Sequence, residues 1–197
     1  MKILTIADTE SSMLWDFYQS HYLEDIDLIL SAGDLDPDYL SFLVTLGHAP
    51  VLYVPGNHDS VYDRRPPSGC INIDGKLYVH EGLRILGLGG SMAYNGGTNQ
   101  YTEAEMRRRA LKMFFPIRRY RGFDILLTHA PAKGFHDLPD TAHRGFEIFN
   151  TLIDRWQPAW HIHGHIHNTY GSAFVREEKR GNTTVINACE KHIIEIQ

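Results

Sequence analysis

Cysteine is almost absent from the 197 residues: Cys70 and Cys189 are the two examples, in unrelated contexts. That excludes a disulfide framework and favours a reducing compartment. No apolar run approaches the roughly 18 residues of a membrane span. The opening Met1-Lys2-Ile3-Leu4-Thr5-Ile6 reads as a strand, not as a signal peptide, so a cytoplasmic protein with no membrane contact is expected. Positive charge is in deficit, with 19 Lys and Arg against 24 Asp and Glu and a formal charge of -5. Strong nucleic-acid binding is therefore not expected. Repeats, low-complexity tracts and linkers are also missing, and residues 1–197 are expected to form one domain. A chain this long can bury roughly 70% of the surface its unfolded form exposes, so a core needs no staple. Histidine is the residue in excess: there are 12, and four fall within His161-Ile162-His163-Gly164-His165-Ile166-His167.

Short apolar runs alternate with amphipathic stretches, the pattern of a layered α/β protein. Strands are expected at residues 3–6, 27–31, 51–54, 124–128 and 160–163, with a hairpin of 76–80 and 83–88 across Glu81-Gly82. Helices are expected at 12–22, at 37–46 behind an Asp36 cap with Pro37 at the first position, at 103–113 behind a Thr102/Glu105 capping box, and around 146–156. The tail from about 173 to 196 supplies two or three antiparallel strands. Residues 91–101 lack periodicity and form either a plain connection or the rim of a site.

One pattern recurs along the chain. A strand ends in a tight turn, and the turn carries a carboxylate, an amide or an imidazole: Asp8, Asp34, Asn57, His129 and His165. In α/β sheets the carboxyl ends of strands are where loops converge on a ligand. Histidine as dense as that of 161–167 is uncommon without a metal.

In order, Asp8-Thr9-Glu10, Gly33-Asp34, Gly56-Asn57-His58-Asp59, His129 and Gly164-His165-Ile166-His167 closely resemble the motifs of the calcineurin-like metallophosphoesterase superfamily. The resemblance implies a four-layer αββα sandwich, two mixed β-sheets face to face with helices outside. It also implies two divalent ions, manganese first, with Fe2+, Mg2+ and Zn2+ as alternatives. Asp34 would bridge them, Asp8 and His167 would hold one, and Asn57, His129 and His165 the other. Such a pair can hold a bridging hydroxide for in-line attack on phosphorus and clamp the phosphoryl oxygens. His58 would contact the phosphoryl group and protonate or stabilise the leaving oxygen, and Asp59 would orient the His58 imidazole. Glu10 stands where the family generally has histidine. It would ligate directly, act through a water, or leave its ion weakly bound; as a hard carboxylate it tilts preference away from zinc.

Thr128-His129-Ala130-Pro131, Gly134-Phe135-His136-Asp137 and the segment 161–171 are also similar to MPPED-type phosphodiesterases. The expected activity is hydrolysis of a small phosphorylated substrate, a phosphodiester first. Phosphomonoesterase or protein phosphatase action, or a scaffold that kept the fold and lost turnover, are the competing readings. His143 is expected either to reach the substrate or to cap a helix. His161 and His163, on one face of their strand, are expected to be satisfied or supporting groups and not ligands. The arginine runs at 107–109 and 118–121 read as solvated helix faces, and Gly87 to Gly90 lacks the features of a nucleotide-binding loop. The oligomeric state is not legible in the chain.

Overall fold

The structure, a computed structural model, describes residues 1–196. In chain order it begins with β1 (Lys2–Ile6), β2 (Leu28–Ser31), α1 (Pro37–Leu46), β3 (Val51–Tyr53) and β4 (Ile71–Asn72). The middle adds β5 (Lys76–His80), β6 (Leu83–Leu88), β7 (Ser91–Met92), β8 (Gln100–Tyr101), α2 (Glu103–Lys112) and α3 (Phe114–Arg119). The rest is β9 (Ile125–Thr128), α4 (Glu147–Trp156), β10 (Trp160–His163), β11 (Glu177–Arg180), β12 (Thr183–Asn187) and β13 (His192–Glu195).

Two large mixed sheets result. One has the order β13-β1-β2-β3-β4, the other β11-β12-β10-β9-β6-β5. In the first, β1 to β4 run parallel and the edge strand β13 is antiparallel. In the second, β6, β9, β10 and β12 run parallel and the edges β5 and β11 are antiparallel. Side-chain alternation with period two decides the layers. Ile3, Leu28, Leu30 and Leu52 of one sheet meet Ile85, Ile125, Leu127 and Ile162 of the other in a shared core. The opposite faces are covered by helices. Leu4, Ile6 and Ile29 pack under α1, while Leu86, Leu88 and Leu126 pack under α2, α3 and α4. This is the expected four-layer arrangement.

The local start signals work as their chemistry dictates. The Asp36 carboxylate accepts from the Asp38 amide at 2.8 Å with Pro37 opening α1, and Thr102 and Glu105 complete a reciprocal capping box on α2.

One expectation is corrected. Residues 12–22 are not a helix but two short 3-10 turns, Ser12–Leu14 and Ser20–Tyr22, neither with a side-chain cap. Tertiary packing overrides the apparent spacing there: Trp15 sets its edge on Tyr39 and Phe42 of α1, Tyr18 does the same on Phe42, and Phe17 is left 71% exposed. The tail supplies three strands with antiparallel pairings, as expected, and serves both sheets. β11 and β12 form a hairpin, but β12 also lies parallel to β10, and β13 crosses to pair with β1. No helix among the described residues is long and apolar enough to cross a membrane.

Candidate metal centre

The carboxyl ends of β1, β2, β3, β9 and β10 point the same way, and their turns are knitted together by the main chain. The Asp8 amide donates to the Gly33 carbonyl at 3.0 Å, and the Gly164 amide to the His129 carbonyl at 2.9 Å. Close approach demands glycine at Gly56, where a Cβ would lie 2.1 Å from Asp34 Oδ1 and 2.7 Å from His129 Cε1. The turns are also strained. Asp8, Asp34 and His165 adopt left-handed backbone, with φ of +63°, +58° and +70°. Non-glycine residues held there cluster at functional sites.

Four donor atoms converge where these turns meet. His129 Nε2 lies 3.0 Å from Asn57 Oδ1, 3.1 Å from His165 Nδ1 and 3.3 Å from Asp34 Oδ2. The outer nitrogens assign the protons. His129 Nδ1 donates to the Ala32 carbonyl at 2.8 Å, and His165 Nε2 to the Ala142 carbonyl at 2.7 Å. With both rings neutral, as in metal-ligating histidines, the inward nitrogens would present lone pairs. Four electron-pair donors facing one point need a positive charge between them. Asp34, His129 and His165 are, among the described residues, the one group of His, Cys, Asp or Glu whose ligand atoms lie within 4.8 Å of one another.

The electrostatics carry the same message. Burial alone would lower His129, but the Asp34 and Asp8 carboxylates outweigh it and push the ring up to about 9. Burial would raise Asp34, but His129 and the His58 amide hold it at about 2. In the metal-free chain a proton on His129 supplies part of the missing charge; a divalent cation would serve all four donors. Burial, with His129 alongside, pushes His165 down to about 3. Burial also lifts Asp8 to about 7, with His129 pulling the other way.

The remaining expected site residues fall into two groups. Asp8, half-buried, accepts the His165 amide on both carboxylate oxygens at 2.8 and 2.9 Å. His167 is partly buried within electrostatic reach of Asp34, His129 and His58, and burial lowers it. His58 is exposed, and its amide donates to Asp34 Oδ1 at 2.8 Å.

Asp59 does not orient the His58 imidazole. Its Oδ2 accepts the amides of Asp34 at 2.8 Å and Gly56 at 2.7 Å, tying the β2 and β3 turns to each other. Burial and the Asp34 charge lift its carboxyl to about 6. Glu10 is not brought to the cluster: it is exposed, and the charges that act on it are those of Asp36 and Asp16. His143 is not a helix cap, since α4 begins at Glu147. Its Nδ1 lies 2.9 Å from Asp140 Oδ1, its Nε2 3.0 Å from the Tyr170 hydroxyl, and its ring centroid 5.3 Å from that of His165.

The 91–101 segment does edge the site. The Tyr94 hydroxyl lies 3.4 Å from Asn57 Nδ2, and Asn99 Nδ2 donates to the Gly56 carbonyl at 3.0 Å. Tyr170 and Asp140 carried no sequence signal of their own; their proximity to His143 is a matter of tertiary placement. Arg109 is not solvated: it grips both oxygens of Asp74 at 2.6 Å and the Gly89 carbonyl at 2.8 Å.

A double-sheet sandwich with a carboxylate, amide and imidazole cluster at its parallel strand ends is an arrangement that can hold a cation. The chain belongs to the calcineurin-like phosphoesterase family, whose model matches residues 1–169, and this supports metal-dependent phosphoester hydrolysis. It is 26% identical over 213 aligned positions to UPF0046 protein K07C11.7 of Caenorhabditis elegans, covering 96% of this chain and 70% of that one. It is 43% identical over 70 residues to human metallophosphoesterase domain-containing protein 1, which is 34% of this chain but 20% of that one. A further worm relative, UPF0046 protein T07D4.2, is likewise matched over 16% of its length. Among solved structures, TT1561 of Thermus thermophilus superimposes with a TM-score of 0.63 at 16% identity, covering 96% of this chain and 89% of that one. That likeness shows the fold alone.

Proposed function

We propose that the protein hydrolyses phosphodiesters of small molecules with two divalent ions, manganese foremost. Asn57, His129 and His165 would hold one ion, Asp8 and His167 the other, with Asp34 shared. The carrying observation is that donors of Asp34, Asn57 and His165 gather at 3.0 to 3.3 Å around a fourth, His129 Nε2. The donors are oxygen and imidazole nitrogen without a thiol, a mixed set that suits manganese or iron(II) and also admits zinc. Bound divalent ions would supply positive charge for the phosphoryl oxygens and an acidified water as nucleophile.

The chain's own groups do the rest. The Ala32 and Ala142 carbonyls keep the two imidazoles in the ligating tautomer. Asp59 holds the Asp34 and Gly56 amides so that the β2 and β3 turns meet. His58, exposed and anchored through its amide on Asp34, would contact the phosphoryl group and give a proton to the leaving oxygen. His143, beside His165, would touch the substrate. We place the protein in the cytoplasm, where the free thiols of Cys70 and Cys189 would persist.

The test is turnover of bis-p-nitrophenyl phosphate against p-nitrophenyl phosphate with added Mn2+. We expect the diester to be the better substrate, Asp34→Asn to abolish turnover, and His58→Ala to lower kcat about 100-fold or more. A monoester preference would overturn the diesterase assignment. Metal binding without any turnover would favour a scaffold.

A further inference from the structure

His161 and His163 alternate with Ile162 along β10. Ile162 enters the core between the sheets, so both imidazoles emerge on the opposite face, under α4, where the His161 and Phe149 ring centroids lie 6.3 Å apart. Both are fully buried, and His136 is buried against His163 at a centroid distance of 5.1 Å. These three rings take no part in the cation cluster.

Their hydrogen-bond partners assign each proton. The Thr128 hydroxyl donates to the Ala130 carbonyl at 2.7 Å, so its oxygen is left to accept from His161 Nε2 at 2.9 Å. His163 Nδ1 faces the Gly164 carbonyl at 2.9 Å and must donate to it. Its Nε2 therefore accepts, from His136 Nδ1 at 2.9 Å. Two lone pairs are left over, on His161 Nδ1 and His136 Nε2. These are the buried side-chain nitrogens or oxygens without a hydrogen-bond partner among the described residues. A Glu178 carboxylate oxygen lies 3.5 Å from His136 Nε2, but it is another acceptor. Burial pushes His161 down to about 3, so its ring stays neutral.

Bare lone pairs in a core oppose folding, and apolar side chains of similar shape would avoid them. Yet both proton-ordered chains end on the turns that carry the inward-facing imidazoles. One runs from His161 through Thr128 to the Ala130 carbonyl, bracketing His129. The other runs from His136 through His163 to the Gly164 carbonyl, next to His165.

We propose that His136, His161 and His163 are positioning residues that brace these two turns, keeping His129 Nε2 and His165 Nδ1 together for a shared cation. This inference rests on the metal-centre reading above. It assigns the rings a role in cation affinity that neither packing nor stability requires.

The test uses the full chain as His161→Leu, His136→Leu and His136→Asn. Mn2+ binding is measured by titration calorimetry, melting on the metal-free proteins, and ring tautomers by long-range 15N–1H spectra. Both leucine variants should bind Mn2+ about tenfold or more weakly, and His161→Leu, which strips no buried group of its donor, should melt at or above wild type. His136→Asn, which keeps an N–H donor for His163 Nε2, should restore affinity to within about threefold of wild type. Metal-free wild type should show Nε2–H on His161 and Nδ1–H on His163 and His136. Unchanged affinity in both leucine variants overturns the role alone, as does a loss that tracks a lower melting temperature without rescue by asparagine. A wild type that binds no Mn2+ overturns the metal centre, and this role with it.

Discussion

His129 Nε2 and His165 Nδ1 face each other across 3.1 Å, with their outer nitrogens already committed to the Ala32 and Ala142 carbonyls. Nitrogens held this close need a positive charge between them, a proton on His129 in the metal-free chain or a cation in its place. Main-chain hydrogen bonds that join remote turns hold the arrangement together, so it is built into the fold before any ion arrives.

A cation should therefore stabilise the native chain, because the unfolded chain scatters the same donors. At a free Mn2+ concentration about 100 times Kd the gain is about 2.7 kcal/mol. Melting with Mn2+ and with excess chelator measures it directly. Asp34→Asn should remove most of the difference. Equal melting temperatures for the wild type under both conditions would sink the centre.

Asp59 acts through its acceptor oxygen and not through His58. Asp59→Ala leaves the buried amides of Asp34 and Gly56 unpaired and should destabilise by on the order of 2–4 kcal/mol. Asp59→Asn keeps an acceptor and should lie within about 1 kcal/mol of wild type. Urea titrations of the two variants decide the matter; equal losses would return Asp59 to a role that depends on its charge.

Glu10 should be dispensable for metal binding. Its surroundings are Asp36 and Asp16, not the imidazoles. Glu10→Gln is expected to leave Mn2+ affinity within about threefold, whereas a ligand's removal costs about tenfold or more. Calorimetric titration separates these outcomes.

Acid should destabilise the fold in part through His161. Its folded pKa of about 3 lies below the ordinary 6.5, so between those values the unfolded chain takes up a proton that the native ring refuses. Stability is unaffected above pH 6.5 and falls as pH drops toward 3, by about 1.4 kcal/mol per pH unit for this ring. His161→Leu should flatten that slope. Urea midpoints at about pH 7, 5.5 and 4.5, values that span this window, compare the two; parallel slopes would refute the assignment.

Much of the fold was legible from local chemistry. Period-two alternation announced the strands, and the Asp36 and Thr102 caps announced α1 and α2, because those signals act within a few residues. Residues 12–22 misled for the opposite reason. Their spacing looked helical, but the rings of Trp15 and Tyr18 found α1, which lies further along the chain. Arg109 misled likewise: its partner Asp74 is 35 positions away.

The chain by itself determined the chemical types of the centre and where each would sit, at the ends of strands, because turn-forming and ligating residues are adjacent in sequence. Tertiary structure alone decided which of those groups meet. It kept Asp34, Asn57, His129 and His165 together, turned Asp59 onto main-chain amides, left Glu10 outside and set three further histidines behind the metal-binding turns. Those outcomes depend on distances between strands far apart in the chain, and such distances are set by how the two sheets pack.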